Sequence, residues 1–230
     1  MYGIKFDDLH SYDDLGLVLT SKDMGTPKPK TMTVDINGAH GVIDLTESLT
    51  GYVQYENRQL RFEFQVFAGK TAWVSAYSDL LTAIHGKTMK VVLDEDPDFY
   101  YSGRVTVNTW TSMKSLNTIV VEVDADPFKY SMISSEEPWL WDPFSFVDGV
   151  IYYTSYTVNG SLSVRLPNEK MVQSPYFDCS AAMQVTVKGV TYDLPAGRSQ
   201  NYDILLEDNI TEMTFTGNGT VKVIYRGGRF

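Results

Sequence analysis

Residues 85–107 read HGKTMKVVLDEDPDFYYSGRVTV. Three suggestions crowd into this stretch. Gly86-Lys87-Thr88 has the residue types of a phosphate-cradling loop, Asp94, Asp96 and Asp98 have the spacing that opens a calcium loop, and the last residues alternate like a strand. The phosphate reading fails first. Such a loop wraps backbone amides around phosphates and needs another glycine five residues before Gly86. That position is Leu81, and the other Gly-Lys-Thr, residues 69–71, has Phe64 in its place. A calcium loop starting at Asp94 needs glycine sixth and glutamate twelfth. Phe99 and Val105 stand there, and Pro97 stiffens the curve. What remains is structural: a helix end closed by Gly86, a strand, an acidic turn at Asp96-Pro97, and a second strand.

Upstream, Trp73, Tyr77, Leu80, Leu81 and Ile84 form one helical stripe. The spacing predicts a helix over 72–85, with Thr71 as its N-cap and Gly86 as its stop. Before it, QLRFEFQV (59–66) alternates apolar and polar residues, so one face of its sheet is buried. TMTVDI (31–36) alternates too and runs into Asn37-Gly38, a turn signal. Strands are predicted again at 89–94, 99–107 and 118–124. A sheet with one helix packed on it follows.

Residues 126–149, DPFKYSMISSEEPWLWDPFSFVDG, carry three prolines and no period, which predicts a linker. Beyond it the chain reads as strands, with hairpins expected about Lys188-Gly189 and Asn218-Gly219. The expected fold is mainly β in two domains. Residues 1–130 form a β-sheet or sandwich domain with one packed α-helix, and 131–230 form a β-sandwich, the boundary falling within 126–149.

Composition narrows the function. The 230 residues carry a formal net charge of −10, which disfavours binding to a nucleic-acid backbone. The N-terminus lacks the apolar core of a signal peptide, and no apolar run reaches the ~18 residues of a membrane helix. The expectation is a protein made in a cytoplasm without membrane insertion. The single cysteine, Cys179, excludes an internal disulfide and reads as a small buried hydrophobe.

No catalytic constellation is visible. His10, His40 and His85 sit in unrelated settings, and nothing local couples Cys179 to any of them. The acid pairs Asp7-Asp8 and Asp13-Asp14 lie in a polar terminus. Neither an enzyme, a cofactor nor a metal site is expected. Sequons at Asn159, Asn209 and Asn218 read as turns without a secretory signal. Trp139, Trp141, Tyr152, Tyr153 and Tyr156 are aromatic enough to stack on sugar rings, and of these Trp139, Trp141 and Tyr156 are the candidate carbohydrate contacts; the plain alternative is strap and core packing.

The order of elements, with Gly86-Lys87 ending a helix, Asp96-Pro97-Asp98, Tyr100-Tyr101, Gly103-Arg104 and a closing Tyr225-Arg226-Gly227-Gly228, resembles the distal tail (Dit) proteins of long, non-contractile-tailed phages (siphoviruses). The resemblance covers residues 1–130 closely and 131–230 loosely. It implies a hexameric ring at the tail tip or baseplate, built by the N-terminal domain, with a galectin-like C-terminal sandwich projecting outward. It implies contacts with the tail tube protein, with tail-tip proteins and with receptor-binding or baseplate proteins. DNA would pass through the lumen unbound. Gly86, Asp96, Pro97, Gly103 and Arg104 would be its structural signature, and the second reading is a module that binds host cell-wall carbohydrate.

Overall fold

In the computed structural model, which describes residues 3–38, 40–66, 70–112, 117–132, 155–168, 171–207 and 210–230, the alternating segments form antiparallel strands. The chain divides into two compact units, Met1–Lys129 with Phe230, and Tyr130–Arg229. Each has its own apolar core.

The first unit contains β1 (Ile4–Phe6), β2 (Leu9–His10), β3 (Leu17–Met24), β4 (Thr33–Asp35), β5 (Val42–Asp44), β6 (Arg58–Val66), α1 (Lys70–Ile84), β7 (Thr88–Leu93), β8 (Asp96–Ser112) and β9 (Asn117–Ala125). Seven strands pair in the order β2-β1-β7-β8-β9-β6-β3. The period of two decides which side is buried. Leu60, Phe62 and Phe64 of β6 face inward with Val121, Val123 and Val105, while Gln59 and Arg61 face out. α1 lays Leu80 and Ile84 into this core, with Tyr77 and Leu81 half-buried at its margin. Full burial of an aliphatic or aromatic side chain contributes about 1.5–3 kcal/mol, so this helix face and the central strands hold the unit together. The Trp73 side chain lies outside the described residues.

Three local expectations need correction. The helix is already running at Lys70, so Thr71 lies within it rather than capping it. The chain reverses at Asp94-Glu95, not at Asp96-Pro97, because Leu93 pairs with Asp96. Asp96 and Pro97 open β8. There the pairing shifts by three residues between Leu93/Asp96 and Val91/Tyr101, and Pro97 sits in this bulge, where no ladder amide is required of it. Finally, residues 31–36 do contain a strand, but β4 pairs only with β5 in a separate ribbon whose strands are exposed throughout.

β10 (Lys129–Ser131) spans the division between the units. It falls in the predicted linker, most of which (133–149) lies outside the described residues. The second unit contains β11 (Ser155–Pro167), β12 (Tyr176–Cys179), β13 (Met183–Val187), β14 (Val190–Leu194), β15 (Gly197–Gln200), β16 (Ile210–Ile224) and β17 (Gly228–Arg229). β13 and β14 form the expected hairpin, and both turn residues, Lys188 and Gly189, have positive φ (49° and 82°) as a tight two-residue turn requires.

Asn218-Gly219 is not a turn. β16 runs through it as one strand, paired along its length with β11 from Pro167/Ile210 to Ser155/Lys222. Its other edge changes partner: Met213–Thr216 pair with β13, and Val221–Ile224 with β12. The change falls at Gly217 and Gly219, whose φ values of 146° and 142° favour glycine. A Cβ on Gly217 would come within 2.8 Å of Met183 Cβ, and one on Gly219 within 2.6 Å of Ser180 Oγ. Met213, Phe215, Val221 and Val223 enter one core from both halves of the ribbon. The glycines therefore mark the crease where β16 exchanges β13 for β12.

Candidate functional site

The motif-rich stretch is consumed by folding. After α1, the Gly86 amide donates to Val105 O at 2.8 Å and the Val105 amide to Lys87 O at 2.9 Å. Gly86 adopts φ 76°, the left-handed conformation that ends helices. Arg104 Nη1 donates to Gly86 O at 2.6 Å, and Lys87 Nζ to Ala83 O at 2.7 Å. His85 Nδ1 accepts the Val107 amide at 3.0 Å, which fixes that nitrogen as an acceptor. Lys87 N also donates to Ile84 O. With the Gly86 and Lys87 amides committed, no phosphate nest remains at this Gly-Lys-Thr. Gly103 explains itself next door. A Cβ there would lie 2.6 Å from both Ala125 Cα and Asp124 O, so only glycine lets β8 approach β9.

Structure thus brings Gly86, Gly103 and Arg104 together and leaves Asp96 and Pro97 at the other end of β7–β8. The acidic side chains diverge. Asp94 Oδ2 accepts the Gly3 amide at 2.6 Å and His10 Nε2 at 3.1 Å. Burial pulls the Asp94 carboxyl up, but the hydrogen bonds from His10 and Gly3, with the charges of His10 and Lys5, outweigh it and hold the carboxyl below its ordinary value. Glu95 pairs with Lys22, and Asp96 Oδ2 pairs with Lys129 Nζ at 2.6 Å. Among the described residues no three His, Cys, Asp or Glu side chains gather to hold a metal. Burial pushes the Cys179 thiol up, with the Asp178 charge adding to it, the opposite of what activates a nucleophile.

Of the aromatic residues read as sugar contacts, Trp139, Trp141, Tyr152 and Tyr153 lie outside the described residues. Tyr156 is half-buried against the second core. Asn159 and Asn218 pair across the crease, where Asn218 Oδ1 accepts the Gly160 amide at 3.1 Å. Asn209 lies outside the described residues. The closing Tyr-Arg-Gly-Gly is structural too: Tyr225 Oη donates to Pro167 O at 2.8 Å, and a Cβ on Gly228 would meet Met171 Sδ at 2.7 Å. An open depression of about 350 Å³ beside β13–β14, lined by Met183, Gln184, Asp193, Leu194 and two neighbours, spends its carboxylate on Gln184 Nε2. No helix among the described residues is long and apolar enough to cross a membrane.

The surface that sequence reading missed is the β4–β5 ribbon. Six of the thirteen exposed large hydrophobic side chains among the described residues lie on it or on the turn that follows: Met32, Val34, Ile36, Val42, Ile43 and Leu49. The alternation in TMTVDI was visible, but nothing local distinguishes a strand facing a core from one facing solvent.

No family model matches the chain, and no curated protein matches its sequence. Among solved structures it is similar to the SPP1 Dit protein, described as a paradigm of the hub adsorption apparatus in phages infecting Gram-positive bacteria. The two share 12% identity and a TM-score of 0.67, with 100% of each chain covered. Through both of its units, this chain has the Dit fold.

Proposed function

We propose that this chain is a structural subunit of a phage tail tip, a non-enzymatic hub that six copies build into a ring. In this reading the N-terminal domain, residues 1–130, forms the ring. Residues 131–230, a galectin-like sandwich, project from it. The ring joins the tail tube protein to tail-tip and receptor-binding or baseplate proteins, and DNA passes through its lumen unbound. The net charge of −10 suits a channel that must not hold DNA, wherever on the surface it lies. Its place is the virion, at the end of a long non-contractile tail, after synthesis in the host cytoplasm.

One observation carries this reading: the likeness to SPP1 Dit runs over the full length of both chains rather than over one common domain. The spent chemistry of residues 85–107 supports it, since the densest motif in the chain serves packing. Light scattering on the purified protein tests it. Six copies of a 25.9 kDa chain give about 155 kDa. A mass that stays at one copy across a concentration series argues against the ring. Clearing of peptidoglycan in a zymogram would contradict the non-enzymatic role.

A further inference from the structure

We infer that Asn37 is a site of spontaneous covalent modification: in the folded chain its side-chain amide closes on the Gly38 nitrogen and opens in water to aspartate and isoaspartate. The inference stands apart from the ring reading above.

The dipeptide Asn-Gly occurs three times, at Asn37-Gly38, Asn159-Gly160 and Asn218-Gly219. The reaction has the same requirement at each. The nitrogen of the following residue must reach the side-chain Cγ and close a five-membered ring. Glycine favours this, because no Cβ shields its nitrogen and its backbone turns freely. An extended strand opposes it, because the strand turns that nitrogen away from the side chain. A hydrogen bond on either group opposes it too, since that bond must break first. The sequence therefore offers three equal sites, and the fold chooses among them.

The two copies in the second unit are restrained. Asn159 and Asn218 lie inside β11 and β16 and face each other in the ladder. The Gly160 amide is the nucleophile of the first copy. It donates at 3.1 Å to Asn218 Oδ1, on the side chain that would be attacked in the second. One hydrogen bond thus restrains both copies. Gly219 is also hemmed in, with Ser180 Oγ 2.6 Å from where its Cβ would be.

Asn37-Gly38 has none of these restraints. It sits in the turn between β4 and β5, and both residues are exposed. Neither takes part in a hydrogen bond among the described residues. Gly38 has φ 89°, and beyond its chain neighbours nothing among the described residues lies within 4 Å of its Cβ position. Exposure is not the difference, because Asn159, Gly160 and Asn218 are exposed as well. The ladder and the Gly160 hydrogen bond are.

The reaction needs only water. The Gly38 nitrogen attacks Asn37 Cγ. The N–Cγ bond forms, the Cγ–Nδ2 bond breaks, and Nδ2 leaves as ammonia with the proton of the Gly38 amide. One water then opens the imide. Cleavage at Cγ leaves aspartate. Cleavage at the Asn37 carbonyl carbon leaves isoaspartate, whose main chain runs through Cγ. Either product adds a carboxylate beside exposed Asp35 and Ile36, at the tip of the apolar ribbon. The ribbon therefore gains charge as the chain ages in water.

The test is peptide mapping of the full chain held folded in mildly alkaline heavy-oxygen water, with isoaspartate methyltransferase as the probe for the isomer. Position 37 should gain aspartate and isoaspartate, each carrying heavy oxygen, at least about tenfold faster than positions 159 and 218, whose ladder must open first. In urea the three rates should converge. Gly38→Ala should suppress the reaction at position 37, because a methyl group on the next residue crowds ring closure. No conversion at position 37 in the folded chain overturns the inference, and so do equal folded-state rates at the three positions. Aspartate without isoaspartate, or an unchanged rate in Gly38→Ala, would overturn ring closure in favour of direct hydrolysis of the side chain.

Discussion

Two regions of the first unit differ in almost every respect. The junction of α1 with β7 and β8 uses nearly every polar group it has: the Gly86 amide and carbonyl, the Lys87 amine, the His85 ring and the Arg104 guanidinium all have partners within the fold. The arm that carries the β4–β5 ribbon, residues 25–57 between β3 and β6, leaves an apolar face in water. The junction has the residue types of a phosphate loop, and its Gly86 and Lys87 amides donate within the fold. The arm has no motif and carries the unsatisfied surface. Motif density reports on folding here, and the exposed apolar surface lies where no motif does.

Four perturbations sharpen that contrast. Ile84 is fully buried where α1 meets the sheet, so Ile84→Ala should cost about 2–5 kcal/mol in denaturant unfolding. An unchanged midpoint would remove the helix from the core. Gly103→Ala pushes a methyl against the backbone of β9, and overpacking of this kind costs about 1–3 kcal/mol. A variant as stable as wild type would mean β8 and β9 are not so close.

Acid should weaken the same unit through Asp94. Its folded carboxyl is held below the ordinary value of 3.8, so the stability it contributes is complete well above that value. It fades as the pH drops through 3.8 toward the lowered folded value. Asp94→Asn should flatten the dependence of the melting temperature over that acidic window. The same steepness in wild type and variant would place the acid sensitivity elsewhere. The smallest effect belongs to the arm: Val34→Asp should shift stability by less than about 0.5 kcal/mol in the isolated chain. A large loss would show that the ribbon is packed within its own subunit.

How far these features could be read in the sequence depended on whether the deciding partner was local. Lys188-Gly189 gave a true hairpin because the strands beside it pair with each other, Val187 with Val190. Asn218-Gly219 has the stronger turn signature and failed, because both flanking segments have outside partners in β11, β12 and β13. Tertiary pairing overrode the dipeptide. Gly86 was legible as a helix stop, yet the donation of Arg104 to its carbonyl spans eighteen residues and leaves no local trace. Asp96-Pro97 was misplaced by a two-residue slip, which only the pairing of Leu93 with Asp96 resolves. The apolar stripe of α1 was read well from Tyr77 to Ile84, because helical spacing alone shows which residues share a face. The ribbon was read as a strand but not as an exposed one, since exposure belongs to the whole fold.

Negative-stain imaging of the purified full-length protein tests the proposed ring most directly. Class averages should show closed rings with six-fold symmetry, the first units around a central opening and the second units at the rim. Particles that remain single at every concentration, or rings built from the second unit with the first hanging free, would contradict the account.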